Sequence, residues 1–356
     1  MQSKIRKPPP LGHAINMKKV FIALATYQGA RFLRPLIQSI RRQSVEAWTL
    51  LVRDDGSSDA TVDILREAAA RDNRIHIIRD GGQRLGSAGN FGVVMQRAYE
   101  LGADYLFLAD QDDVWHTDKI GNQLEVMRDG EMAAGKQLAH LVYSDLVVVN
   151  ELRQTVHPSF FACSRLSRGG SQPLRTLLGR SFVLGCASAI NRPLLELALP
   201  LPSAIASHDW WTALCAASAG RISYLPQPTL WYRRHGSNSS GPADFWAGLN
   251  PWHYSWRKRW NTGYCSFHQS ITQVLTLRRR LEDRTACVAT ETQQCLDQFC
   301  ELFERSQPAW RRIYKLLSTG LPAIDLPRRL LYYLCVMAIA EHENMQPIVE
   351  QARKAA

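Results

Sequence analysis

The chain has no C-x-x-C pair, no alternation of cysteine with histidine and no internal repeat. Its eight cysteines (Cys163, Cys186, Cys215, Cys265, Cys287, Cys295, Cys300 and Cys335) are scattered, which argues against a zinc ribbon or a redox pair and fits reduced thiols in a cytosolic protein. No N-terminal stretch has the charged, apolar and small-residue order of an export signal. The longest apolar run towards the C-terminus, Leu330 to Ala340, is too short to cross a bilayer, which takes about 20 residues. A soluble or peripheral, cytoplasmic protein is expected. The basic residues form neither a recognised nucleic-acid module nor an interleaved aromatic platform, so nucleic acid is not an expected partner.

What the chain does have is length and positive charge. Its 356 residues, 46% of them hydrophobic, suffice for one large domain with an appendage. An excess of 43 Lys+Arg over 32 Asp+Glu, formally +11, suits an anionic partner such as a phosphorylated ligand or an anionic membrane surface. Residues 1–16 carry Pro8-Pro9-Pro10 and several basic residues without apolar periodicity, and are expected to be a flexible leader.

From Lys19 onward, apolar runs alternate with amphipathic stretches. Strands are expected at Val20 to Ala25, Thr49 to Val52, Ile75 to Ile78 and Tyr105 to Ala109. Helices are expected at Phe32 to Arg42, Ala60 to Ala70, Gly89 to Leu101 and Asp118 to Met127. Such a βαβ series folds as an α/β domain, a mostly parallel sheet with helices on both faces. Further strands are expected at Leu141 to Val149, Phe182 to Ile190 and Ile222 to Leu225, with a helix at His208 to Ala219. The catalytic unit is expected over residues 17–241, with a boundary near Gly241-Pro242. Residues 242–356, with long helical patterns from Ser270 to Arg305 and from Trp310 onward, form a mainly helical appendage.

In an open α/β sheet, ligands sit beyond the carboxyl ends of the strands. Two strands run there into acidic clusters, Asp54-Asp55-Gly56-Ser57-Ser58-Asp59 and Asp110-Gln111-Asp112-Asp113. Ser57, Ser58 and Asp59 read as a turn and helix cap. Adjacent carboxylates at Asp54-Asp55 need compensation. Three carboxylates within four residues after an apolar strand suit a hard divalent ion, Mg2+ or Mn2+, which fills its shell with water and substrate phosphates.

These clusters belong to an ordered set. Thr26-Tyr27, the two acidic motifs with Val114-Trp115, Gly89-Asn90-Phe91, Gly185-Cys186, His208-Asp209-Trp210-Trp211 and Tyr232-Arg233-Arg234-His235-Gly236-Ser237-Asn238 together resemble the family 2 glycosyltransferases of the GT-A fold, in particular their bacterial rhamnosyltransferase-like members. The resemblance implies an inverting, metal-dependent sugar transfer from a dTDP- or UDP-linked donor to a glycan or lipid-linked acceptor, in cell-surface polysaccharide synthesis. It places Ala25, Thr26, Tyr27 and Asp55 at the nucleobase, Asp110 at the ribose, and Asp112, Asp113 and His235 at the metal. Arg233 and Arg234 fall to the diphosphate and Asp209 to the catalytic base. His208, Trp210 and Trp211 fall to the sugar or acceptor, with a core role for the two tryptophans equally open. The chain departs from the family in having Gln28 where asparagine is usual, and it lacks the Q-x-x-R-W signature of processive synthases.

Two rivals are weaker. A sugar-nucleotide nucleotidyltransferase needs a Gly-rich basic loop after the first strand, and Thr26-Tyr27-Gln28-Gly29 is not one. A non-catalytic membrane-surface protein leaves the acidic motifs without purpose. Trp252, Trp256 and Trp260 would share one helix face beside Arg257, Lys258 and Arg259, which suits either peripheral contact with an anionic membrane at the inner face of the cytoplasmic membrane or packing onto the catalytic unit.

Overall fold

The computed structural model describes residues 18–164, 169–203, 205–236, 256–284, 288–302, 308–322 and 332–334. The leader at residues 1–16, the boundary at Gly241-Pro242 and the side chains of Trp252 and Trp256 to Trp260 lie outside the described residues.

The first half follows from apolar runs that are covered on both faces. Strands β1 (Val20–Thr26), β2 (Trp48–Asp54), β3 (Ile75–Ile77) and β4 (Tyr105–Asp110) lie parallel in the order β3-β2-β1-β4. Their interiors are almost wholly buried, as expected of a sheet sandwiched between helices. The crossovers are α1 (Ala30–Arg41), α2 (Thr61–Arg71) and α3 (Gly86–Glu100). In α1, Leu33, Leu36, Ile37 and Ile40 recur at helical spacing and are the buried face, each contributing about 1.5–3 kcal/mol through burial.

The second half completes a mixed sheet. After β5 (Val114–Trp115) and α4 (Lys119–Ala134) come β6 (Ala139–Val149), β7 (Thr155–His157), β8 (Ser188–Asn191) and β9 (Gly220–Arg233). Among the described residues, these join one sheet in the order β3-β2-β1-β4-β8-β6-β9-β5, with β7 on β6. Short helices at Phe160–Ser164, Pro173–Leu177 and Arg192–Ala198 cover it, along with a longer one at His208–Ala219.

Two strands differ from expectation for local reasons. The strand expected from Phe182 shrinks to β8, because residues before it are spent in turns. Ser181 Oγ pairs with the Val183 backbone, Gly185–Ala187 is a 3-10 turn, and Gly185 N donates to Asp209 Oδ2 (3.0 Å) instead of to a strand. Conversely, β9 continues past Leu225 through Pro226 and Pro228. Proline removes ladder donors, and the β6–β9 register shifts at Ser144/Asp145 and Asp145/Val147 where those prolines pass.

The C-terminal region contributes helices Trp256–Asp283, Thr290–Glu301 and Ala309–Thr319. Phe267, Ile271, Val274 and Leu277 of the first join the core cluster. Arg280 fastens it by donating to the carbonyls of Leu197, Leu199 and Pro200 (2.9–3.2 Å). No helix among the described residues is long and apolar enough to cross a membrane.

Candidate active site

Parallel register brings the acidic loops together. Ala25 pairs with Asp110 and Thr26 with Asp54, so the segments after β1, β2 and β4 leave the sheet side by side at its carboxyl edge. They line a cleft of about 560 Å³ with Ala25, Thr26, Tyr27, Arg31, Phe32, Asp55, Arg84, Asn90, Phe91, Asp110, Gln111, Asp112, Glu151, Tyr232 and His235. Of the residues assigned by resemblance, Ala25, Thr26, Tyr27, Asp55, Asp110, Asp112 and His235 therefore share one cavity.

Donors compensate the Asp54-Asp55 pair. Asp54 accepts from Thr26 Oγ1 (2.9 Å), Ser57 Oγ (2.6 Å) and the N–H groups of Gly56 and Ser57. Asp55 accepts from Arg53 Nη1 (2.9 Å) and from the N–H groups of Leu85 (2.7 Å) and Gly86 (2.8 Å). Asp59 accepts from Thr61 and from Ala30 N (3.1 Å), in keeping with the turn and cap read from sequence. Gln28, the departure from the family pattern, adopts a left-handed φ of 51°. Its side chain compensates that strain by bonding Ser58 Oγ (2.8 Å) and the N–H groups of Ser58 and Asp59.

Arg53 was not picked out from sequence, although an arginine amid an apolar strand was the available signal. Its guanidinium is 1% exposed and donates to Asp80 (2.6 Å), Asp55 (2.9 Å), Asn90 Oδ1 (3.1 Å) and Gln83 O (2.7 Å). That fan of bonds holds residues 80–86 beside the cleft. From this loop the exposed Arg84 lies over the Tyr27 ring, 4.4 Å from its centroid.

The second acidic cluster splits in two. Asp112 faces the cleft, with His235 Nε2 at 2.7 Å from its Oδ2. Asp113 turns inward, fully buried, where Oδ1 accepts from Arg233 N (3.2 Å) and Oδ2 has no hydrogen-bond partner. Carboxylate oxygens of Asp110 and Asp113 and the Cys186 sulfur lie within 4.8 Å of one another. Burial, then the Asp112 and Asp209 carboxylates, push the Asp110 carboxyl up to about 7. Burial, then Asp112 and Asp110, hold Asp113 well above the usual carboxylate range. Below them Lys119 is fully buried, donates to Thr229 Oγ1 (3.2 Å), and is pushed down to about 7 by desolvation. Asp110, Asp112 and His235, which share the cleft, offer carboxylate oxygens and a histidine nitrogen that fit a hard divalent cation, whereas Asp113 does not line the cleft.

The other assigned residues do not line the cleft. Asp209 lies in the first turn of its helix, and its carboxylate accepts from Ser207 Oγ, Trp210 N (2.7 Å) and Gly185 N. Arg233 is buried, donating to the Asp112 carbonyl (2.9 Å) and the Glu151 carbonyl (2.7 Å), so its head group braces the cleft wall. Arg234 N bonds Val149 O, and its side chain does not line the cleft. His208 is buried and stacked on Phe91 at 3.8 Å. Trp210 and Trp211 lie in the core, their indole N–H groups on Leu177 O (2.8 Å) and Ala198 O (2.9 Å).

Residues 21–193 match the model of Glycosyl transferase family 2. They are a glycosyl transferase family 2 domain. The family 2 match ends before Asp209, Arg233 and His235, which come from the helix that follows it, the end of β9 and the segment just after β9. The chain is similar to dTDP-rhamnosyl transferase RfbG of Shigella flexneri, 25% identical over 224 residues that cover 61% of this chain and 73% of that one. It is also similar to a glycosyltransferase of Nostoc, alr2836, 26% identical over 226 residues that cover 62% of this chain and 66% of the other. Among solved structures, S. aureus TarS 1-349 aligns with a TM-score of 0.50 at 14% identity, covering 92% of this chain and 93% of TarS, a likeness of fold. The chain thus has the GT-A architecture expected from its sequence, with helices following the sheet.

Proposed function

We propose that this glycosyltransferase moves a sugar from a nucleoside diphosphate to a hydroxyl of a glycan or lipid-linked acceptor by a single inverting displacement. The observation that carries the reading is that Asp110, Asp112 and His235 share a cleft at the carboxyl edge of the sheet with Ala25, Tyr27 and Arg84, and that the Asp209 carboxylate is close enough to help push the Asp110 carboxyl up. In this reading Tyr27 packs on the base, and Asp110 meets the ribose. Asp112 and His235 would hold a magnesium or manganese ion, which when bound offsets charge on the departing diphosphate. The sequence similarity to a dTDP-rhamnosyl transferase makes a dTDP-linked deoxysugar the first donor to test and a UDP-linked sugar the second.

Asp209 takes the acceptor proton. Its carboxylate is held by Ser207, Trp210 and Gly185, which orients it, and an ionised carboxylate has roughly four acceptor sites, so capacity remains for a hydroxyl. As that proton passes to Asp209, the acceptor oxygen bonds the anomeric carbon from the side opposite the diphosphate, whose bond to that carbon breaks, and the centre is inverted. Asp209→Asn keeps the shape and loses the base. Transfer from dTDP-rhamnose or UDP-linked sugars should fall by about a hundredfold to ten-thousandfold while nucleotide affinity holds. Turnover equal to that of the unmodified protein would remove Asp209 from the reaction.

A further inference from the structure

The segment leading from β1 into α1 borders the cleft, and side chains hold it. Gln28 N donates to Ser57 Oγ (2.8 Å), Gly29 N to Thr61 Oγ1 (2.8 Å) and Ala30 N to Asp59 Oδ2 (3.1 Å). All three acceptors come from the chain that follows β2. Residue 27 is held from another direction. Tyr27 N donates to Gln111 Oε1 (2.9 Å), and Gln111 Nε2 donates back to Tyr27 O (2.9 Å), so one side-chain amide closes a two-way pair with one backbone residue 84 positions away.

Gly29 makes room for this pair. A Cβ at residue 29 would lie 2.3 Å from Gln111 Oε1 and 2.7 Å from its Cδ. The φ of Gly29 is −101°, a value open to any residue, so backbone conformation does not require glycine here. The Gln111 amide occupies the space a side chain would fill.

We propose that Gln111 is a positioning residue, joining the base-side loop at Tyr27 to the carboxylate loop at Asp110 and Asp112, and that residue 29 is glycine to admit it. The inference rests on the nucleotide-sugar reading above. A nucleoside diphosphate would touch Tyr27 at one end and the Asp112 region at the other, so it is gripped well only if the two loops keep a fixed separation. Two bonds from one planar amide fix both distance and orientation. Without them, the base-side loop is tied to the β2 side alone.

A double-mutant cycle tests this. Gln111→Ala, Gly29→Ala and the double variant are titrated calorimetrically with UDP and dTDP in the presence of Mn2+, and unfolding temperatures are recorded without nucleotide. Loss of two neutral hydrogen bonds corresponds to about tenfold weaker binding in either single variant. The double variant should be no weaker than Gln111→Ala to within about twofold, because Gly29→Ala acts by expelling an amide that is already gone. Unchanged affinity in Gln111→Ala would overturn the proposal, as would a double variant weakened about a hundredfold, the sum of independent effects. A merely structural role would lower the unfolding temperature and leave the affinity of the folded protein intact, which also overturns it. If Gly29→Ala does not fold, Gln111→Met keeps the side-chain length without the amide, and tenfold weakening against unchanged affinity decides. An unmodified chain that binds neither UDP, dTDP, GDP, CDP nor ADP would overturn the nucleotide reading and this inference with it. Binding by the unmodified chain with no change in the variants removes the role of Gln111 alone.

Discussion

Arg53→Met should cost this protein about 3–5 kcal/mol of stability, the usual loss when one partner of a buried charge network is deleted. The magnitude follows from what the guanidinium touches. Four acceptors, from Asp55, Asp80, Gln83 and Asn90, converge on a side chain that is 1% exposed. Asp55 keeps its bonds from Leu85 N and Gly86 N, but its carboxylate remains 4% exposed with no cation beside it. Arg53→Lys should cost less, about 1–3 kcal/mol, because charge survives while a single ammonium cannot span acceptors on four residues. Loop 80–86 carries Arg84 and Gly86 into the cleft, so both variants should also weaken nucleotide binding. Urea unfolding monitored by tryptophan fluorescence measures the first effect and calorimetry the second. A loss under about 1 kcal/mol for Arg53→Met would refute the view that this arginine holds the loop.

Other perturbations separate stability from function. Burial, then Arg221, depresses the His140 imidazole from 6.5 to about 4. Its folded-state value lies below the unfolded one, so the stabilisation is present above pH 6.5 and lost as pH falls through about 4; His140→Gln should flatten that window by about 3 kcal/mol, read as the difference between the two pH–stability curves. An identical acid dependence in the variant would contradict this. Trp211→Phe trims the buried indole to a single ring and removes its bond to Ala198 O, and should lower stability by about 2–4 kcal/mol while leaving nucleotide affinity unchanged. Weakened nucleotide binding at unchanged stability would place this tryptophan at the ligand instead.

Much of the fold was legible because its signals are local. Apolar runs such as Phe21 to Leu24 and Leu106 to Ala109 are buried on both sheet faces, and Asp59 in the turn between them accepts from the first N–H groups of α1 and α2. The acidic clusters were legible for the same reason, since carboxylates ending an apolar strand need a partner. What escaped sequence was anything set by distant pairing. The two-residue β5 exists only against β9, and β9 passes its prolines only because β6 shifts register. Asp112 and Asp113 are neighbours in the chain, yet one faces the cleft and the other packs beside Cys186, a division fixed by Arg233 N at the end of β9 and by His235 just beyond it, both about 120 residues later. Gly29 looks like any turn glycine until Gln111 is seen in the space beside it.

The claim that the acidic edge of the sheet receives a nucleoside diphosphate with a divalent cation is tested most directly by calorimetric titration of UDP and dTDP with and without Mn2+, on the unmodified protein and on Asp112→Ala. The unmodified protein should bind at least one of them, with affinity raised about tenfold or more by the metal, and Asp112→Ala should lose that increment. Absence of binding, or an equal response to Mn2+ in both proteins, would contradict it.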